Sequence, residues 1–245
     1  MGHEFTGIVE EVGSQVKSVK VGDKIVSPFT VSWQVFLPYM ITNISTANLG
    51  HSLECFYCKN GFSSRCAKSL LFGTAALDGA QAEFVRVPLA DGTVMKAPPE
   101  IDNKALVLMA DIFPTGLFGA INAFKLLSPE QIAESTVVVI GCGPVGLCAV
   151  IAAESFKPKH LFAVDSVDSR LDLAKSLGAE PLNFQTDKAG MQERIKAVTD
   201  GRGADVVIEV VGLSPALRTA FDLLRPWGII SSIGVHNGEV ICHGD

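Results

Sequence analysis

The run Thr136-Val137-Val138-Val139-Ile140, followed without a spacer by Gly141-Cys142-Gly143-Pro144-Val145-Gly146, constrains this chain more than any other feature. Consecutive apolar or β-branched residues read as a strand buried on both faces, the environment of a central strand in a parallel sheet. A G-x-G-x-x-G string is weak by itself, but between such a strand and a helix each glycine has a task. The first permits a tight bend, the second lets the backbone approach a pyrophosphate, and the third lets helix and strand pack closely. A helix over 145–155 then points its first N–H groups at the phosphates.

The alternation continues to residue 235. Strands are predicted at 161–165, 181–184, 205–211 and 229–235, with helices at 169–177, 192–198 and 215–224 between them. With the first strand and helix, that makes five strands and four helices in strict β/α order, which argues α/β architecture with a doubly wound parallel sheet of the Rossmann kind. Asp165 ends the second strand about 20 residues past the glycine loop, where a carboxylate accepts both ribose hydroxyls and repels a 2′-phosphate. NAD is therefore the expected cofactor rather than NADP. Val211 and Gly212, and Ile233, Gly234 and Val235, end the fourth and fifth strands at the nicotinamide end of the cleft. Taken without this context the glycines could be a turn and Asp165 a helix cap. His236 could stand at the same end of the cleft, but reads first as an exposed loop residue.

Before residue 98 the pattern is different. Short apolar clusters around Ile8, Val16 to Val21 and 24–26, then 82–88 and 93–97, are separated by turn signals such as Gly22-Asp23 and Asp91-Gly92, which suggests a small β-barrel. Pro98-Pro99 marks a linker, and helices are expected over 103–111 and 114–127. The domains expected are thus 1–98 and 99–245.

Hydrophobic residues make up 48% and charged residues 19%, an ordinary globular balance, and the net charge of −6 comes with no Lys/Arg cluster that could follow a phosphate backbone. Nucleic acid is an unexpected partner. The uncharged stretch 25–53 is broken by Pro28, Pro38 and several polar residues, so it falls short of the roughly 20 apolar residues of a membrane span. The first residues hold no export signal, which makes a cytoplasmic location the expectation. In that setting Cys55, Cys58 and Cys66 read as metal ligands before disulfides, and Cys142, Cys148 and Cys242 as inert.

Gly2-His3-Glu4-Phe5-Thr6-Gly7, followed by Gly13 and Val16, resembles the signature of zinc-containing medium-chain alcohol dehydrogenases. Cys55, Cys58 and Cys66 fit the last three positions of that family's C-x2-C-x2-C-x7-C lobe. The resemblance spans nearly the whole chain and implies a GroES-like catalytic barrel before the Rossmann domain, a structural zinc on the lobe, and a catalytic zinc held by His3 and Asp111 with Glu4 as a nearby carboxylate. Asp111-Ile112-Phe113-Pro114-Thr115-Gly116 is most similar to the branch of glutathione-independent formaldehyde dehydrogenase and related microbial enzymes. Read without the resemblance, Asp111 would be a helix cap. The implied activity is Lewis-acid-assisted hydride transfer between a small alcohol or aldehyde and NAD.

Measured against that family, the chain looks like a fragment lacking both ends. The family's third catalytic ligand, a cysteine, lies before the Gly-His-Glu signature. Ser52 stands where the lobe's first cysteine belongs, with His51 as a weak substitute. Residues 31–51 have no family counterpart, and a retained intron translated in frame is the hypothesis that reading the transcript tests. The family's sixth strand, which helps pair subunits, would follow residue 245, so a homo-oligomer is not expected here. Two kinds of reading follow: a zinc- and NAD-dependent oxidoreductase with impaired activity in this chain, or else a non-catalytic NAD-binding module or a faulty gene-model fragment. A zinc-free quinone-reductase-like relative would leave His3, Asp111 and the cysteines unexplained.

Overall fold

The computed structural model describes residues 1–31 and 55–238. Most of the proposed 31–51 insertion, His51, Ser52 and Cys242 lie outside the described residues. The chain forms two compact units, Met1–Asp111 and Ile112–Asp245.

In the first unit β1 (Phe5–Ile8) pairs antiparallel with β2 (Lys24–Ser27), Phe5 opposite Ser27 and Ile8 opposite Lys24. β3 (Thr30–Val31) pairs with β4 (Leu70–Leu71), and β5 (Met95–Lys96) lines the other edge of β2. The short helices are α1 (Phe56–Lys59), α2 (Ala90–Thr93) and α3 (Asn103–Leu108). Phe5, Val19, Ile25, Val31, Phe72, Leu77 and Val94 form the core, with Phe5 edge-on to Phe72 at 5.1 Å.

Two expected strands are absent from this unit. Over 82–88 the alternation is present, and Val85 and Val87 do pack on the core while Phe84 is 69% exposed. A ladder needs a partner edge, however, and among the described residues no strand pairs with this stretch. Over 16–21 the backbone donors go elsewhere: the N–H groups of Lys17 and Ser18 donate to the Asp91 carboxylate at 2.9 and 2.8 Å. Asp91 and Gly92, expected in an open turn, lie within α2. Past Pro98-Pro99, α3 is capped by Asp102, which accepts from the Lys104 N–H at 2.8 Å. Leu106 and Ala110 pack against Val26 and Ala97, which is why the first unit extends to Asp111.

The second unit begins with α4 (Ile112–Phe124) and α5 (Pro129–Ala133). The alternating part follows as β6 (Thr136–Ile140), α6 (Pro144–Ser155), β7 (His160–Asp165), α7 (Asp168–Ser176) and β8 (Glu180–Asn183). It continues through α8 (Lys188–Ala197), β9 (Ala204–Glu209), α9 (Ser214–Leu223) and β10 (Leu224–Ser232). The sheet order is β10-β9-β6-β7-β8 and every pairing is parallel. Strand order therefore reverses at β6, the point where such sheets open a crevice beyond their carboxyl ends.

Alternate residues of β6 explain why all five are buried. Val137 and Val139 join Ala120, Ala149 and Ala153 on one face, and Val138 and Ile140 join Phe162, Met191 and Ile195 on the other. On the first face α4 lies directly on α6, because a Cβ at Gly116 would come within 2.6 Å of the Ala149 nitrogen. β9 ends at Glu209 and β10 at Ser232, so Val211, Gly212, Ile233, Gly234 and Val235 all lie beyond the pairing rather than inside it.

Helix α5 has no counterpart in the periodicity reading, although its start is legible: Ser128 accepts from the Gln131 N–H, and Gln131 reaches back to the Ser128 N–H at 2.8 Å. Ser128→Ala removes half of this capping box and is expected to cost about 1 kcal/mol. An unchanged urea midpoint in the variant would contradict that. Among the described residues, no helix is long and apolar enough to cross a membrane.

Candidate dinucleotide and metal sites

Gly141 leaves β6 at φ +94, in the region that favours glycine, and so turns the chain into α6 within a few residues. A Cβ on Gly146 would stand 1.8 Å from the Gly141 carbonyl oxygen, so the helix start is pressed against the bend. Gly143 differs from both: its Cβ would meet nothing within 4 Å. Its bareness leaves open space beside the N-cap of α6, with Pro144 at the first helical position and the first-turn N–H groups lacking intrahelical acceptors. Such a cradle fits the close approach of a phosphate. Pro144 is exposed and Val145 half-buried on the rim.

Asp165, at the end of β7, is 7% exposed and does not cap α7, whose N-cap is Val167. One carboxylate oxygen accepts from the Cys142 N–H at 2.7 Å, and the other from Ser166 and Val167 at 2.7 and 3.0 Å. The carboxylate thus ties the glycine loop to the end of the second strand. Burial pushes this carboxyl up, but the N–H groups of Cys142, Val167 and Ser166 and the Arg170 guanidinium outweigh it and hold Asp165 below the ordinary carboxylate value. Cys142 itself is inert as a nucleophile, because burial and the Asp165 charge push its thiol up to about 12.

Across β6, Val211 and Gly212 follow β9, and a Cβ on Gly141 would lie 2.7 Å from a Val211 methyl group. Gly212, at φ +76, would carry its Cβ 2.5 Å from the Val235 carbonyl oxygen, and a Cβ on Gly234 would be 2.1 Å from the Gly212 nitrogen. These glycines let the β9 and β10 ends interlock backbone to backbone. The Ile233 side chain turns into the core toward Gly119 and Ile208. His236, expected to be exposed, is half-buried, with its Nε2 3.0 Å from the Ser232 hydroxyl. Two charged residues near this cleft escaped the sequence reading. Arg170 lies 3.7 Å from Asp165, and Glu209, the one acid inside the apolar run 206–211, is fully buried.

Two metal-type clusters lie in the first unit. The sulfurs of Cys55, Cys58 and Cys66 all lie within 4.8 Å of one another, and among the described residues they are the one such group of three. Thiolates on a tetrahedral zinc stand about 3.8 Å apart, so the trio fits three corners of that shell. Backbone N–H groups of Ala67 and Cys58 lower the Cys55 thiol to about 7, whereas burial pushes Cys58 up to about 12. The structure also brings His3 to Asp111, across 108 residues, with Nε2 3.2 Å from Oδ2 and side chains 49% and 20% exposed. Gly2 makes this placement feasible: at φ +89 its carbonyl accepts from the Ala80 N–H at 2.8 Å, and a Cβ there would meet the Gln81 nitrogen at 2.5 Å. Ligand atoms on one tetrahedral zinc are about 3.4 Å apart, which the pair matches. Glu4 adjoins it and is half-buried.

Residues 1–99 match the alcohol dehydrogenase GroES-like domain, and residues 144–244 match the zinc-binding dehydrogenase family. A medium chain reductase/dehydrogenase of Acremonium sp. is 54% identical over 240 residues, covering 98% of this chain and 76% of that protein. The chain belongs to the zinc-type medium-chain alcohol dehydrogenase family. Zinc-type alcohol dehydrogenase B of Aspergillus flavus is 66% identical over 98% of the chain, which spans 52% of that family member's length. Among solved structures, the alcohol dehydrogenase TADH from Thermus sp. ATN1 has a TM-score of 0.80 at 31% identity, covering 97% of this chain and 62% of that one. For a family member of this kind the cleft at β6 and the two donor clusters are the places to look for chemistry.

Proposed function

We propose that this chain carries the dinucleotide domain and part of the metal-binding domain of an oxidoreductase that moves a hydride between a small alcohol or aldehyde and NAD. The observation that supports it most is the open cradle at Gly143, flanked by Asp165 on the β7 side and Val211 on the β9 side. In this reading the first turn of α6 binds the pyrophosphate, and Asp165, whose oxygens retain lone pairs, accepts from the adenosine ribose and disfavours a 2′-phosphate. Val211, Gly212 and 233–235 wall the other half of the molecule. Cys55, Cys58 and Cys66 would hold a structural zinc, and His3 and Asp111 would hold the catalytic one, with Glu4 near them. A zinc ion held there supplies Lewis-acid polarisation of the alcohol oxygen, and the nicotinamide supplies the hydride acceptor. A cytoplasmic setting, where thiols stay reduced, suits the cysteine trio. The branch of glutathione-independent formaldehyde dehydrogenase is the finer assignment, supported by the Asp111-Ile112-Phe113-Pro114-Thr115-Gly116 string.

A second reading is an NAD-binding module without turnover. Titrating the purified chain with NADH, assaying bound zinc, and following absorbance at 340 nm with formaldehyde and simple alcohols separates the two. Nucleotide binding with about two zinc ions per chain and NADH formation is expected for the enzyme. Binding with one zinc or none and no turnover selects the module. A folded chain that ignores millimolar NADH sinks both.

A further inference from the structure

We infer that Glu209 is a positioning residue that holds the wall of the cleft facing the dinucleotide half beyond the pyrophosphate; this rests on the dinucleotide reading above. An acid at the end of an apolar central strand, with no exposed surface, persists only if donors surround it. Four do. One oxygen of Glu209 accepts from the Val211 and Gly212 N–H groups at 2.8 and 2.7 Å, and the other accepts from the Ser232 hydroxyl at 2.7 Å, with His236 Nε2 at 3.4 Å. The backbone carbonyl of the same residue accepts from Ile233 and Gly234 at 2.9 and 3.3 Å. A single residue therefore fixes both chain segments that leave β9 and β10.

The proton inventory orders this network. Because the Ser232 hydroxyl donates to Glu209, its 3.0 Å contact with His236 requires the hydrogen on Nε2, so the histidine donates inward as well. One ring nitrogen faces both partners, which is not the geometry of a nucleophile-activating relay. The consequence reaches the cleft through Val211: its N–H is pinned by the carboxylate, the residue is 41% exposed, and a methyl group of it overhangs Gly141. Loss of the carboxylate releases that side chain and the interlocked Gly212 and Val235 together. The Asp165 side of the loop has its own supports and stays in place.

This predicts selectivity within one ligand. In Glu209→Gln an amide replaces a charge-assisted acceptor, and NADH affinity is expected to fall about tenfold. ADP, which carries only the adenosine and phosphate half, should bind within twofold of wild type. Isothermal titration of both ligands, with thermal unfolding to establish folding, makes the comparison. Ser232→Ala, which removes one donor from outside the wall, should show the same selectivity at about threefold and carries the test if the first variant does not fold. Equal loss of NADH and ADP would mean that Glu209 merely stabilises the fold, and unchanged NADH binding in the folded variants would mean that it positions nothing; either overturns the inference. A wild-type chain that binds neither ligand instead refutes the dinucleotide reading on which the inference stands.

Discussion

Gly146→Ala is expected to lower NADH affinity at least a hundredfold, whereas Gly143→Ala, three residues earlier, should leave the fold almost untouched and still impair binding. The difference lies in what each new methyl group would meet. At position 146 it would stand 1.8 Å from the Gly141 carbonyl oxygen and 2.8 Å from its carbon. Both atoms are backbone of Gly141 in the bend, so relief requires moving the start of α6, which carries position 146, away from β6. Overpacking of this kind costs about 1–3 kcal/mol, and the displaced first-turn N–H groups no longer converge on the phosphate. At position 143 the methyl group meets nothing within 4 Å, and φ is −68, which alanine adopts readily. Its cost to stability is below about 1 kcal/mol, from the weaker N-cap alone. It does, however, occupy the space through which a phosphate would approach, and at least a tenfold loss of NADH affinity is expected. Urea denaturation and NADH fluorescence on the two variants separate these effects. Wild-type affinity in Gly143→Ala would mean that the open space is not a phosphate cradle.

How much of this was readable beforehand depends on whether a residue's environment is local. β6 matches its predicted bounds because five buried residues in a row leave no face for solvent, and Gly141, Gly143 and Gly146 follow because a bend between a buried strand and a helix restricts which residues can make it. The lobe cysteines lie close together in the fold, and so do His3 and Asp111, the second pair across a separation that no periodicity encodes. Where the reading missed, a distant partner decided the outcome. The stretch 82–88 has a strand's alternation but, among the described residues, no strand pairs with it, and within 16–21 the Lys17 and Ser18 N–H groups go to Asp91, more than 70 residues away. The apolar run 229–235 continues to look like strand after Ser232, yet the Ile233 and Gly234 N–H groups converge on the carbonyl of Glu209. Arg170 and Glu209 look like ordinary charged residues in the sequence, and only the fold sets one against Asp165 and the other beneath the β10 end.

Asp165→Asn is expected to weaken the second unit at neutral pH, to lose that penalty in acid, and to blunt the preference for NADH over NADPH. The wild-type carboxyl is held below its unfolded value, because burial, which raises it, is outweighed by three backbone N–H donors and Arg170. A depressed folded value means that the stabilising contribution is fully present above the unfolded pKa near 3.8 and disappears as the pH falls through the folded value. In the variant the amide NH2 must face a backbone N–H that formerly donated to oxygen, a donor against a donor in a site 7% exposed. Leaving such a donor unsatisfied costs about 1–3 kcal/mol at pH 7. Denaturation midpoints of the two proteins should therefore differ at pH 7 and converge toward pH 3. Nucleotide binding should change in the same variant: NADH affinity falls roughly tenfold with the ribose acceptor weakened, while NADPH loses less, since the charge that repels its 2′-phosphate is gone and Arg170 remains beside the site. A stability deficit of the same size at both pH values would show that the carboxylate's charge is irrelevant to the loop it joins. An unchanged NADH to NADPH ratio would separate Asp165 from the ribose altogether.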